Sequence, residues 1–466
     1  MSVNRKSENY IAALNICSTV ITAGISFFTI PLFTRMLSTD GYGIVSIYEA
    51  WVQIIVIFIG LKADGSISSA YANLPAREHD SYQYSVLVMS FLSFTFVLLG
   101  GCIFSGNLTQ ATGLSPVLLI LAVIQSFGVF IVQFFNMRYI FSKEAKRNFM
   151  LSVGISVSTT ILSVALICTL GSQSYGAVGR ALGLTIPNLL LGIALFVSLR
   201  IRCKPAFRFT YWKFCLALSL PLIFHGLSQQ LLSQSGKLAV QQYCGDSAAG
   251  VFGLAVTISS LVTYIYTALN NAFVPFMYDD LAGKNDNSVK CRHFTNYFSL
   301  FTLGSIAFAM MSPEVLKVMS TEAYWGALQV LPILVIGKYC VFLYSFPVNF
   351  EFYKMRTKSI ALGTILAGVL NVVLCAALVP EFGMMGAAAS SMLAYICLFL
   401  FHFCIARFFL GDRNYPAWMY FAGLGLVTVA SFAYYPLSDS PLLRWAIGFG
   451  ALCVAVGRVI ETKTIF

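Results

Sequence analysis

Along this chain, apolar runs near twenty residues long alternate with short polar stretches, and the alternation occurs fourteen times. To within a few residues the runs cover 11–34, 44–62, 83–103, 114–137, 149–170, 176–199, 214–236, 248–274, 294–312, 327–348, 359–379, 384–406, 416–435 and 441–460. About twenty residues of helix cross a hydrocarbon core. In lipid every backbone polar group must be satisfied within the protein, which leaves helices or a closed barrel; continuous apolar runs lack the alternation of barrel strands. The pattern predicts an all-α polytopic membrane protein of about 14 transmembrane helices. Arg5 and Lys6 precede the first run, but it passes Phe33 without a small-residue cleavage pattern, so a retained helix is expected.

The runs are not independent of one another. Tyr42-Gly43-Ile44-Val45 is echoed by Ala249-Gly250-Val251-Phe252, and Tyr175-Gly176-Ala177-Val178-Gly179 by Phe382-Gly383-Met384-Met385-Gly386, both at an offset of 207. A recurring offset is the mark of duplication, and one spanning six runs, an even number, makes corresponding helices cross in the same direction. Two parallel six-helix lobes are expected, 1–205 and 206–410, with 411–466 adding a helix pair. Charge does not follow the repeat: Arg35 aligns with Gln242, Arg180 with Ala387 and Lys338 with Ile131.

Composition agrees with the pattern, since 58% hydrophobic against 10% charged residues is far from the soluble norm. Of the 29 Lys and Arg, 23 fall on one set of alternate loops, which places both termini in the cytoplasm and assigns the +11 charge to a basic membrane rim rather than to nucleic acid. Short loops leave no room for a soluble catalytic or nucleotide-binding domain, and Gly337-Lys338 lacks the upstream glycine of a phosphate loop. The twelve Cys are scattered singly without Cys-x-x-Cys, and His79, His225, His293 and His402 lie at no ligand spacing, so no metal, disulfide framework or other cofactor is expected.

Candidate chemistry therefore rests on polar groups that the membrane penalises. A charge in mid-bilayer costs at least ~2.5 kcal/mol, so such a residue faces a partner or a hydrated cavity. Arg180, Lys338 and the boundary residue Lys237 meet this condition. The seventh run carries His225, Gly226, Ser228, Gln229, Gln230, Ser233, Gln234, Ser235 and Lys237; positions 226, 229, 230, 233 and 237 make one hydrophilic helix face, suited to lining a cavity or to interhelical hydrogen bonding. Among acids, Glu49 could pair with Arg35 or bind a coupling proton or cation, and Asp64 could pair with Lys62. Excess cation over anion points to an anionic substrate, for which Arg supplies a two-toothed fork and Lys a point charge. Gly176, Gly179 and Gly183, and likewise Gly383, Gly386 and Ser390, make small-residue faces for close packing, and Pro31, Pro221, Pro275 and Pro332 are candidate helix bends.

Three motifs carry a family resemblance. Pro31-Leu32-Phe33-Thr34-Arg35-Met36-Leu37-Ser38-Thr39-Asp40-Gly41-Tyr42-Gly43, Ala268-Leu269-Asn270-Asn271-Ala272-Phe273-Val274-Pro275 and Leu378-Val379-Pro380-Glu381-Phe382-Gly383-Met384-Met385-Gly386-Ala387-Ala388 resemble Wzx-type polysaccharide flippases of the multidrug/oligosaccharidyl-lipid/polysaccharide (MOP) exporter superfamily. The resemblance spans most of 10–408. It implies two six-helix lobes, alternating access, and an undecaprenyl-diphosphate-linked oligosaccharide turned from the cytoplasmic to the outer leaflet of a bacterial inner membrane for polysaccharide or O-antigen assembly. Diphosphate contacts are then expected from Arg35, Arg180, Lys237 and Lys338, and sugar contacts from Gln229, Gln230, Gln234, Asn270 and Asn271. Glu49 and Asp64 are candidates for a coupling proton or sodium ion, and membrane lipids and other polysaccharide assembly proteins are candidate partners. A drug or cation antiporter or a peptidoglycan-precursor flippase of the same superfamily stays open, as does, from another class, a membrane-embedded sugar polymerase or acyltransferase.

Overall fold

The computed structural model describes residues 5–171, 175–202 and 208–462, and among them there is helix and no strand. The expected lobe boundary at 205/206 and two cations of the loop tally, Lys204 and Lys463, lie outside the described residues. Eleven helices are long and apolar enough to cross a membrane. Two of these are double: 209–281 is broken at Gly245 (φ 87, ψ 176) and 357–404 at Gly383 (φ 54, ψ −134). With the shorter Ala417–Ala433, the described helices make the fourteen segments expected.

In chain order these are α1 (Arg5–Phe28, continued by Ile30–Met36), α2 (Thr39–Gly60), α3 (His79–Ile103), α4 (Pro116–Phe141), α5 (Ala145–Leu170), α6 (Gly176–Arg202), α7 (209–244), α8 (246–281), α9 (Asn287–Met319), α10 (Leu331–Tyr353), α11 (357–382), α12 (384–404), α13 (Ala417–Ala433) and α14 (Pro441–Thr462). Of the four prolines, Pro31 does interrupt its helix: it sits at the start of Ile30–Met36, beyond the break at Thr29, where its missing N–H costs nothing. Pro332 instead begins α10 and bends nothing. Side-chain caps mark other starts. Ser38 accepts from Gly41 N at 3.1 Å ahead of α2, and Asp286 from Val289 N at 2.9 Å ahead of α9.

The described residues cluster into two compact units, Met1–Gln230 and Leu231–Phe466. In the first, α2 and α4 are the most buried spanning helices; in the second it is α10, the 207-residue counterpart of α4. A hydrogen-bonded trio ties the first unit: Tyr48 Oη donates to Gln125 Oε1 at 2.6 Å and meets Thr185 Oγ1 at 3.0 Å, linking α2, α4 and α6. The second unit is centred on stacked aromatics, among them Phe273, Tyr297, Phe298, Phe342 and Phe346, against which Tyr415 and Tyr420 also pack. Arg444 fastens α14 to α9. It is 1% exposed, and it is ion-paired to Glu314.

Candidate functional site

In the first unit, two glycines bring α6 close to α5. A Cβ at Gly179 would stand 3.0 Å from the Leu166 carbonyl oxygen, and one at Gly183 would run into the backbone of Ser163. The expected small-residue face is thus a packing face, and what it positions is Arg180. Arg180 Nη1 donates to Ser163 Oγ at 2.9 Å, and the guanidinium lies 4.0 Å from the Phe33 ring centroid. Its Nη2 is 3.7 Å from Glu49 Oε1, longer than the roughly 2.7–2.9 Å of a charge-assisted hydrogen bond. Arg180 is 15% exposed while Glu49 is 46% exposed, so the cation is the desolvated member of the pair and its counter-ion the solvated one.

This corrects the expected pairing of Glu49 with Arg35. Arg35 is exposed, in the last turn of Ile30–Met36, and its Nη1 donates to Pro31 O at 2.9 Å. Arg35 is exposed to solvent, whereas the desolvated Arg180 has the greater need of a carboxylate. Lys62 and Asp64 do not form the expected ion pair either; among the described residues neither ion-pairs with any partner. Lys62 is left-handed (φ 52), following Leu61 (φ 49), and its stem lies over α7, where a Cβ at Gly226 would be 2.7 Å from Lys62 Cε. Asp64 sits partly buried in the short turn Ala63–Gly65.

In the second unit, Lys338 on α10 faces a small cavity of about 20 Å³, enough for one water, lined also by Ser233, Gly236, Ser391 and Tyr395. Its Nζ is 5.9 Å from the Tyr395 ring centroid, and the charge of Lys237 on α7 acts on it. Among the described residues no carboxylate pairs with Lys338.

The polar residues of α7 divide in two uses, with Ser235 lying on the side opposite the face of 226, 229, 230, 233 and 237. Ser235 accepts from Asn371 Nδ2 at 2.7 Å, and the same amide donates to Leu232 O at 2.9 Å, which is interhelical bonding rather than cavity lining. Gln229 is exposed, Gln230 and Lys237 are partly buried, and Gln234 Oε1 is a buried acceptor without a partner. Asn270 accepts from Asn349 Nδ2 at 3.1 Å and Asn271 is exposed; neither lines the Lys338 cavity. The structure thus gathers Arg180 with Glu49, and Lys338 with Lys237, and leaves Arg35, Asp64 and the two asparagines elsewhere in their units.

Sequence reasoning did not find Ser163, Phe33 or Tyr395 as neighbours of the two cations. It also passed over the buried pair of Glu351 and His402, joined at 2.7 Å, because the two are 51 residues apart on different helices. Among the described residues no group of three or more His, Cys, Asp or Glu side chains could hold a metal ion.

Fourteen helices in a duplicated order, with a basic side chain in each unit held within a spanning helix beside an aromatic ring, define a polytopic membrane protein. Solved structures share the fold. The chain superposes on "Lipid II flippase MurJ, inward closed conformation" with TM-score 0.67, at 14% identity over 97% of this chain and 99% of that one. It superposes on an inward-facing multidrug resistance MATE family transporter of the MOP superfamily with TM-score 0.60, at 15% identity over 85% and 96%. In sequence it is 21% identical over 389 residues to "Lsg locus putative protein 1" of Haemophilus influenzae, covering 80% of this chain and 93% of that protein. Residues 12–279 match the family model described as "Polysaccharide biosynthesis protein". The chain belongs to that family.

Proposed function

We propose that this protein flips an undecaprenyl-diphosphate-linked oligosaccharide from the cytoplasmic to the outer leaflet of the bacterial inner membrane, by alternating access of lobes 1–205 and 206–410, with 411–466 appended and both termini cytoplasmic. The observation that carries the reading is Arg180, a cation inside a spanning helix, seated on an aromatic ring, whose carboxylate partner stands at 3.7 Å and is half exposed. A guanidinium has five N–H donors in a fixed fork, and this one retains capacity for the oxygens of a diphosphate. Glu49 then serves as a place-holder that yields to the substrate's charge. Lys338 with Lys237 supplies a second, point-charge contact in the other unit, and Gln229, Gln230 and the unpartnered Gln234 supply hydrogen bonds to sugar hydroxyls. Family membership in polysaccharide biosynthesis supports the substrate class.

The reading is tested by polymer export in cells carrying Arg180→Ala or Lys338→Ala at normal protein level. Each is expected to lower export at least tenfold, and full export by both variants rejects the charge contacts. The glycan on the lipid-linked intermediate that accumulates on gene deletion identifies the cargo. Accumulation of a peptidoglycan precursor instead would replace this substrate with that precursor.

A further inference from the structure

One buried ionisable pair takes no part in the proposed substrate contacts. Glu351, near the end of α10, is 0% exposed, and His402, near the end of α12, is 1% exposed. His402 Nδ1 is 2.7 Å from Glu351 Oε1, and the other carboxylate oxygen accepts from Ser359 Oγ on α11. Three helices of one unit therefore meet on a single carboxylate. His402 Nε2 is buried and has no partner. It is closed off by α11: a Cβ at Gly363 would stand 2.7 Å from Nε2 and 2.8 Å from the Phe401 ring. The Tyr344 ring of α10 stacks on the imidazole at 6.0 Å between centroids.

The cations and acids on the same elements do not neutralise the pair. Lys354 and Arg356 follow α10, Lys358 neighbours Ser359 on α11, and Arg407 and Asp412 follow α12; among the described residues none of them ion-pairs with Glu351 or His402. Of these charged groups, Arg356 reaches Glu351 through its backbone N, which donates to the Glu351 carbonyl at 2.8 Å.

We propose that Glu351 and His402 form a proton-binding site whose occupancy is coupled to the packing of α11 against α12. With one proton on Nδ1 facing the carboxylate, the pair carries a net negative charge in a desolvated place, and a second proton from water, taken on Nε2, makes it neutral. The imidazolium then has an Nε2–H with no acceptor against the Gly363 backbone, so α11 must shift to admit one. Release of the same proton to water reverses both changes. A hard metal cation is disfavoured, because it needs several oxygen ligands and both carboxylate oxygens here already accept hydrogen bonds. This inference rests on the transport reading only for its purpose, since the proton site itself is defined by the pair.

The test is 15N NMR of the full chain in lipid nanodiscs, with labelled histidine, between pH 5 and 8.5. His402→Gln identifies the His402 signal among the four histidines by its absence. The expected result is a His402 signal that changes protonation state within this range and whose response differs from wild type in Glu351→Gln and in Ser359→Ala, because each variant alters the carboxylate that faces Nδ1. Ser359→Ala keeps both members of the pair, so it answers the question even where the other variants fold poorly. A His402 signal that holds one protonation state throughout, or titrates identically in all three backgrounds, overturns the site. Polymer export that keeps its pH dependence in His402→Gln overturns the coupling. A deletion strain with unchanged polysaccharide sinks the substrate reading while leaving the titration intact, so the two failures are distinguishable.

Discussion

Arg444 gives the sharpest stability prediction. Its guanidinium donates from Nη1 to Met310 O and to Glu314 Oε2, each at 3.0 Å, from Nη2 to Glu314 Oε1, and from Nε to Leu437 O at 3.1 Å, beneath a Tyr434 ring 5.5 Å away. Arg444→Met keeps the apolar stem and removes every donor. Two backbone carbonyls then lose their side-chain partner, and Glu314, 22% exposed, keeps a charge without a counter-ion. Breaking a buried pair by deleting one partner costs about 3–5 kcal/mol, and the residual exposure of Glu314 puts this site near the lower end, about 3 kcal/mol. The double variant Arg444→Met with Glu314→Leu removes both charges and should recover most of that loss, a coupling of about 2 kcal/mol. Reversible unfolding in mixed micelles, read by circular dichroism, measures the loss, and proteolysis in 435–440 reports undocking of α14. A single variant within ~0.5 kcal/mol of wild type, or a double variant as unstable as the sum of the singles, refutes the reasoning.

Two further outcomes follow from packing and capping. Gly183→Val is expected to separate α5 from α6 and lower the folded yield sharply, because its branched side chain meets the Ser163 backbone, whereas Gly154→Val, where nothing lies within 4 Å, should leave yield unchanged; size-exclusion profiles compare them. Asp286 holds its carboxyl below the usual carboxylate range, chiefly through the Val289 N–H it caps. A depressed value adds stability above the usual carboxylate pKa and loses it as pH falls through the depressed one, so protection of the 287–290 amides, taken relative to their intrinsic exchange rates, should fall only in acid, and Asp286→Ala should remove that loss of protection.

The fourteen segments were legible because bilayer thickness sets a run length that the sequence must display. The glycine faces were legible for a related reason: close approach of backbones forbids a side chain, and the absence of one is written in the residue itself. Partners were not legible. Arg180 meets Ser163 and Glu49, and Glu351 meets His402, across helices that periodicity treats separately, since an apolar period reports which face is buried and not what buries it. The expected Arg35–Glu49 pair failed for this reason: proximity across a short turn suggested it, while desolvation selected Arg180. The polar residues of α7 likewise gave polarity without saying that Ser235, outside the stripe, serves a neighbouring helix.

The hairpin glycines explain why the duplication survives in so few letters. Gly179 meets backbone atoms of Leu166 and Ile167, and Gly386 meets backbone atoms of Leu378 and Val379. A contact made to backbone places no demand on the side chain opposite; Ile167 and Val379, both fully buried, answer to the core around them, while the glycines answer to the close approach itself. The two halves therefore keep glycine where main chain is touched and differ one residue further on, where 180 carries a guanidinium and 387 a methyl beside the same kind of helix pair.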